Sequence, residues 1–301
     1  MVLPVITMIA IGVAAKRTQL ISDKGIGDIK TFVVRFTLPA TLFQAFYTVE
    51  FTWREGMMLL LMSGITLGAF FLGLFITKLF GMSERFAPYL CTTIEGGSIG
   101  YALAILMSGQ ENLYHFALLD VGNALIQWGV VMTVLQLRSK SGKSGREIAL
   151  SLITPVNIAI VSGLLFGVTG IGRGITGLSG GRIVQDILAF VSAPTGPVIM
   201  MTVGYGLSLK GVRWKETLKG FASRAVCFGL FGILVFFLTP LIFPGDPLYR
   251  SAVLLFFIMP PTYAFSVFTE NEKEDAFVSS FLAVYTLLTI IAFIPVAWTV
   301  A

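Results

Sequence analysis

The sequence predicts an all-α membrane protein of ten transmembrane helices, arranged as two inverted repeats of five. Three observations carry this. Of the 301 residues, 55% are hydrophobic and only 12% charged, against about 25% charged in soluble domains. Ten apolar runs approach or reach the ~20 residues needed to cross a hydrocarbon core. The order of Pro and Gly features in the first five runs recurs in the last five.

A soluble fold of this composition would lack the polar surface to cover its core; lipid solvates apolar side chains and removes the need. The 32 glycines suit closely approaching membrane helices. The net charge of +5 raises a nucleic-acid reading. The basic residues sit in short loops between apolar runs, however, so the bilayer is the expected partner and no nucleic acid is. Cys91 and Cys227 lie in apolar runs and form no disulfide framework. The first run has neither a basic leader nor an A-x-A cleavage site, and reads as a mature helix.

The runs cover residues 2–15, 31–47, 57–79, 86–108, 113–137, 149–170, 183–209, 217–242, 249–268 and 276–299. Loops after the odd-numbered helices carry fifteen Lys and Arg; those after helices 2, 4, 6 and 8 carry four, Arg54, Arg173, Arg182 and Arg250. Positive loops stay in the cytoplasm, so both termini are expected outside it, in a multi-pass bacterial inner-membrane protein. The longest basic loop, RSKSGKSGRE (138–147), opens the linker 138–148 between the halves 1–137 and 149–301.

The halves repeat feature by feature. Helix 1 has Pro4 and Gly12; helix 6 has Pro155 and Gly163, at the same spacing. Helix 2 contains TLPATLF (37–43), and helix 7 SAPTGPV (192–198). Helix 4 contains IEGGS (94–98), and helix 9 IMPPT (258–262). Five helices per copy is an odd number, so the second copy enters from the opposite side. Inverted repeats and broken helices are the pattern of secondary transporters.

Gly96 and Gly97 weaken helix 4 by about 1 kcal/mol each relative to Ala. Pro260 and Pro261 remove two N–H donors from helix 9. Such breaks survive in a membrane only when buried in protein or lining a wet cavity. Ser98 and Thr262 add a hydroxyl beside each break. Half-helix N-termini there would attract an anion. Glu95, at mid-membrane, is a functional hypothesis by default, since charge at that depth costs at least about 2.5–3.5 kcal/mol on insertion scales. It is a candidate proton carrier or Na⁺ ligand; its plainer reading is a carboxyl group hydrogen-bonded to freed backbone. Asp120, Asn123 and Gln127 share one face of helix 5, either lining a cavity or joining helices by hydrogen bonds. Asn157 on helix 6 and Thr195 on helix 7 are further candidates. Arg35 and Arg224 read as snorkelling to the interface, although Arg35 is also a candidate partner for a carboxylate substrate. His115, the only histidine, reads as a surface residue. No GxxxxGK[ST] loop, HExxH site or nucleophile elbow is read, so neither an enzyme nor an ATP-driven pump is expected.

On these stretches the sequence resembles the auxin efflux carrier family in its bacterial branch, which includes malonate and malate permeases. VVRFTLPATLF (33–43) is similar to the family's Leu-Pro-Ala signature. TPVNIAIVSGLLFGVTGIG (154–172) resembles the opening of its second half. SAPTGPVIMMTVGYGLSL (192–209) and FFIMPPTYAFSVF (256–268) resemble its seventh and ninth helices. The resemblance implies ten helices in two inverted repeats, with helices 4 and 9 crossing at their breaks as in sodium–proton antiporters and bile-acid symporters. In helix 4 the family pattern runs Asn-x-Gly-x-x-Gly-x-Pro; here Gly97 and Gly100 match, while Glu95 and Ala102 stand at the Asn and Pro positions. The expected function is secondary transport of a small organic anion by alternating access, with H⁺ or Na⁺ as coupling ion, no cofactor, and a homodimer left open. A membrane-embedded ligand sensor without translocation is the competing reading.

Overall fold

The computed structural model describes residues 2–137, 153–178, 180–206 and 212–300. Every regular element in them is helical. Among the described residues, six helical spans are long and apolar enough to cross a membrane: Trp53–Leu79, Gln110–Leu135, Gly181–Gly206, Trp214–Ile242, Pro247–Phe265 and Glu272–Ala297. The linker 138–148, with its four basic residues, lies outside the described residues.

The chain divides into two compact units. The first comprises residues 1–55, 97–117 and 146–207. In it, Val2–Arg17 packs along Thr195–Gly206. The approach is backbone to backbone: a Cβ on Gly12 would strike the Met201 carbonyl, and one on Gly204 the Ile9 carbonyl. Leu38–Phe46 packs along Pro155–Thr169 in the same way, with Gly163 on the Phe43 backbone. The second of these helices starts where Thr154 accepts the Asn157 N–H at 3.1 Å, with Pro155 in the first turn, where its missing donor costs nothing. It stops at Gly170, whose φ of +75° reverses the chain.

The predicted second helix begins earlier than its apolar run. Ser22 caps Asp23–Phe32 by accepting the Gly25 N–H at 3.0 Å. The helix continues through a π segment, Val33–Thr37, into Leu38–Phe46. Hydropathy misses this polar first part because DKGIGDIK carries four charges.

The second unit comprises residues 56–96, 118–145 and 208–301. An aromatic core of Phe70, Phe86, Tyr89, Phe265, Phe277 and Phe281 fills it. Gly122 lies against the Leu59 backbone and Gly220 against the Phe281 ring, so its helices also meet at small residues. Phe71, Phe75, Phe237 and Leu241 are exposed, which suits lipid rather than water. The acidic stretch ENEKEDA (270–276) leads into the helix Glu272–Ala297. Asn271 caps it by accepting the Glu274 N–H at 3.0 Å, and Arg85 pairs with Glu270 at 2.6 Å and Glu274 at 3.2 Å.

Candidate functional site

Both predicted breaks are present, and both belong to the second unit up to Gly96. The helix Ala87–Leu90 ends in a turn at Cys91 and Thr92; residues 93–95 are non-helical; a π segment, Gly96–Gly100, then leads into Tyr101–Ser108. Pro247–Ile258 ends at Met259, which is extended (φ −62°, ψ 147°). Pro260 and Pro261 cannot donate, and a short 3₁₀ turn, Tyr263–Val267, follows Thr262.

A break frees backbone groups, and those groups need partners. Here the two breaks supply each other. The Glu95 N–H donates to the Pro260 carbonyl at 2.7 Å. The Tyr263 N–H donates to Glu95 Oε2 at 2.8 Å, and the Thr262 hydroxyl donates to the same oxygen at 3.1 Å. The Thr262 N–H reaches Thr93 Oγ1 at 3.5 Å. The Ile94 N–H is taken by Gln127 Oε1 at 3.1 Å.

Gln127 ties the first break to a buried polar row. Asn123 Nδ2 donates to Gln127 Oε1 and to Asp120 Oδ1, both at 3.3 Å, and Thr66 Oγ1 donates to Asn123 Oδ1 at 3.1 Å. Asp120, Asn123, Gln127 and Thr66 are all buried. Gly96 is packed against Asp120: a Cβ there would overlap the carboxylate. Gln127 opens a second π segment, Gln127–Val131, and π turns recur at functional sites.

Of the residues singled out in the sequence, the structure brings together Glu95, Gly96, Pro260, Thr262, Asp120 and Asn123, with Pro261 between two of them. Gly97 and Ser98 follow Gly96 in the π segment. Asn157, Thr195 and Arg35 belong to the first unit. There Thr195 shares a 2.9 Å hydroxyl contact with Thr41, Asn157 sits in the first turn of its helix, and Arg35 is exposed in the π segment Val33–Thr37.

Two of these sequence readings change. Arg224 does not snorkel: it is 0% exposed, and its guanidinium donates to the carbonyls of Leu90, Thr93 and Met259 at the two breaks. The default that an intramembrane Arg is functional would have found it. His115 is buried rather than superficial, with Nδ1 2.9 Å from the Asn112 carbonyl. The letters GGSIG (96–100) do fit the G-x-S-x-G elbow pattern, but they form a π turn inside a helical chain, without the strand that an elbow requires. Thr66, Thr93 and Tyr263 join the site through contacts that no local pattern announces. No cluster of three or more His, Cys, Asp or Glu suited to a metal occurs among the described residues.

Described residues that are helical in every regular element, with six membrane-long apolar spans among them, define a multi-pass membrane protein, and two broken segments that share backbone hydrogen bonds are a pattern also met in transporters. The model of a family described as membrane transport protein matches residues 1–147. That model is the domain of the auxin efflux carrier family, and a match to it implies a membrane transporter. No curated protein matches the chain.

Proposed function

We propose that this protein is a secondary active transporter that moves a small organic carboxylate across the bacterial inner membrane by alternating access, coupled to H⁺ or Na⁺. The observation that carries the reading is Glu95 Oε2 bound to the Tyr263 N–H and the Thr262 hydroxyl. Those donors are the kind that a substrate carboxylate would use. In this structure Glu95 occupies them. A proton or cation taken up by Glu95 would release them to the substrate, so anion and cation would travel together. Asp120, Asn123 and Thr66 supply further oxygens behind the first break for the coupling ion.

The architecture that goes with this is ten helices in two inverted repeats, 1–137 and 149–301, with both termini outside the cytoplasm. Gly12 and Gly163, at equivalent places in the repeat, both make close helix contacts, on Met201 and Phe43 respectively. That pairing is what an inverted repeat would produce, since helix 1 meets helix 7 as helix 6 meets helix 2.

Purified protein in proteoliposomes tests the function. Labelled dicarboxylates and aromatic acids are offered under an imposed proton or sodium gradient. Accumulation that collapses with one of the gradients is expected. Saturable binding of such an acid with no flux under either gradient would instead make the protein a sensor.

A further inference from the structure

Arg224 lies in the apolar helix Trp214–Ile242, fully shielded from solvent. Its guanidinium stands over the Phe228 ring at 3.8 Å and the Tyr285 ring at 4.9 Å from their centroids. Nη1 donates to the carbonyls of Leu90 and Thr93, the latter at 2.8 Å, and Nη2 to that of Met259 at 2.8 Å. All three carbonyls lie where a helix ends at a break. Helix C-termini carry partial negative charge, and in transporters such unwound carbonyls coordinate Na⁺. A guanidinium is planar, permanently charged and weakly hydrated, which suits it to a dry cage of carbonyls and rings.

We infer that Arg224 is a resident cation of the paired breaks: it fills the carbonyl cage of Leu90, Thr93 and Met259 that a sodium ion would otherwise enter, and holds the two breaks in register. It is a positioning residue, because it reaches Glu95 only through the backbone it holds. Thr93 links the two, giving its carbonyl to Arg224 and its hydroxyl oxygen to the Thr262 N–H. The consequence for transport, that this cage is closed to Na⁺, rests on the secondary-transporter reading. The cage itself does not.

The test uses thermal unfolding of purified Arg224→Ala by intrinsic tryptophan fluorescence, beside flux. Truncation leaves a guanidinium-sized space lined by carbonyls. Low-millimolar guanidinium chloride should recover roughly half or more of the lost melting temperature by binding the folded state. Sodium chloride should recover part of it, choline chloride none, and the wild type should respond to none of the three. In proteoliposomes the variant's uptake should fall at least tenfold and return in part with guanidinium. An unchanged melting temperature in Arg224→Ala, or a loss that neither cation repairs, overturns the resident-cation role. Wild-type liposomes without flux, together with guanidinium rescue of the melting temperature, would sink the transporter reading alone. If Arg224→Ala does not accumulate in membranes, Arg224→Lys and Arg224→Gln replace it. Lys should melt higher than Gln because it keeps the charge; equal melting, or Gln above Lys, overturns the inference.

Discussion

The Tyr263 N–H and the Glu95 carboxylate meet at 2.8 Å across 168 residues of sequence. A backbone donor freed by two prolines is thereby satisfied by an acidic side chain beside the other break.

Glu95→Gln keeps the shape and one acceptor oxygen for these donors. Hydrogen bonds to a charged group are worth about 1.5–3 kcal/mol and neutral ones about 0.5–1.5, so a stability loss on the order of 1 kcal/mol is expected. The variant should fold, bind substrate, and transport without the wild-type dependence on pH or coupling cation. A pH profile that survives unchanged in Glu95→Gln would move coupling to Asp120.

Gly96→Ala places a methyl group on the Asp120 carboxylate. Forced repacking of this kind costs about 1–3 kcal/mol. The cost should shrink in an Asp120→Ala background, which removes the clash, and a double-mutant cycle on unfolding measures the coupling. Equal losses in both backgrounds would show that Gly96 is needed for its backbone alone.

Gly12→Ala and Gly204→Ala each drive a methyl group into a facing carbonyl. Neither carbonyl can move without shifting its helix, so each variant should lose about 1–3 kcal/mol or more. Cys91 and Cys227, both buried and free, report unfolding through a thiol-reactive dye. Melting within error of wild type in either variant would show that these helices separate at little cost.

The proposed topology, read from the loop charges, has both termini outside the cytoplasm. Alkaline phosphatase fused at the C-terminus should be active, and fused within residues 138–147 inactive. The reverse pattern would invert the topology.

The breaks were legible because Gly and Pro announce themselves locally: residues 93–95 and 259–262 lose helical pairing at the Gly96-Gly97 and Pro260-Pro261 pairs. Apolar length revealed the long helices but not the polar start at Asp23, which depends on the Ser22 cap. Arg224 escaped because its partners lie 131, 134 and 35 residues away, and periodicity holds no information about such distances. The same holds for Tyr263: nothing near it in sequence says that its N–H points at Glu95.

The mutual satisfaction of the two breaks also constrains how the chain is made. When the first 147 residues have left the ribosome, Ile94 can already pair with Gln127, but the partners of Glu95 and of the Leu90 and Thr93 carbonyls, Pro260 and Arg224, do not yet exist. Unsatisfied backbone is costly in hydrocarbon, so the segment 91–95 has no stable resting place in the bilayer until the second half has been synthesised. Biogenesis should therefore pass through a late, all-or-none docking step. A truncated first half should be a substrate for membrane quality control rather than half a transporter.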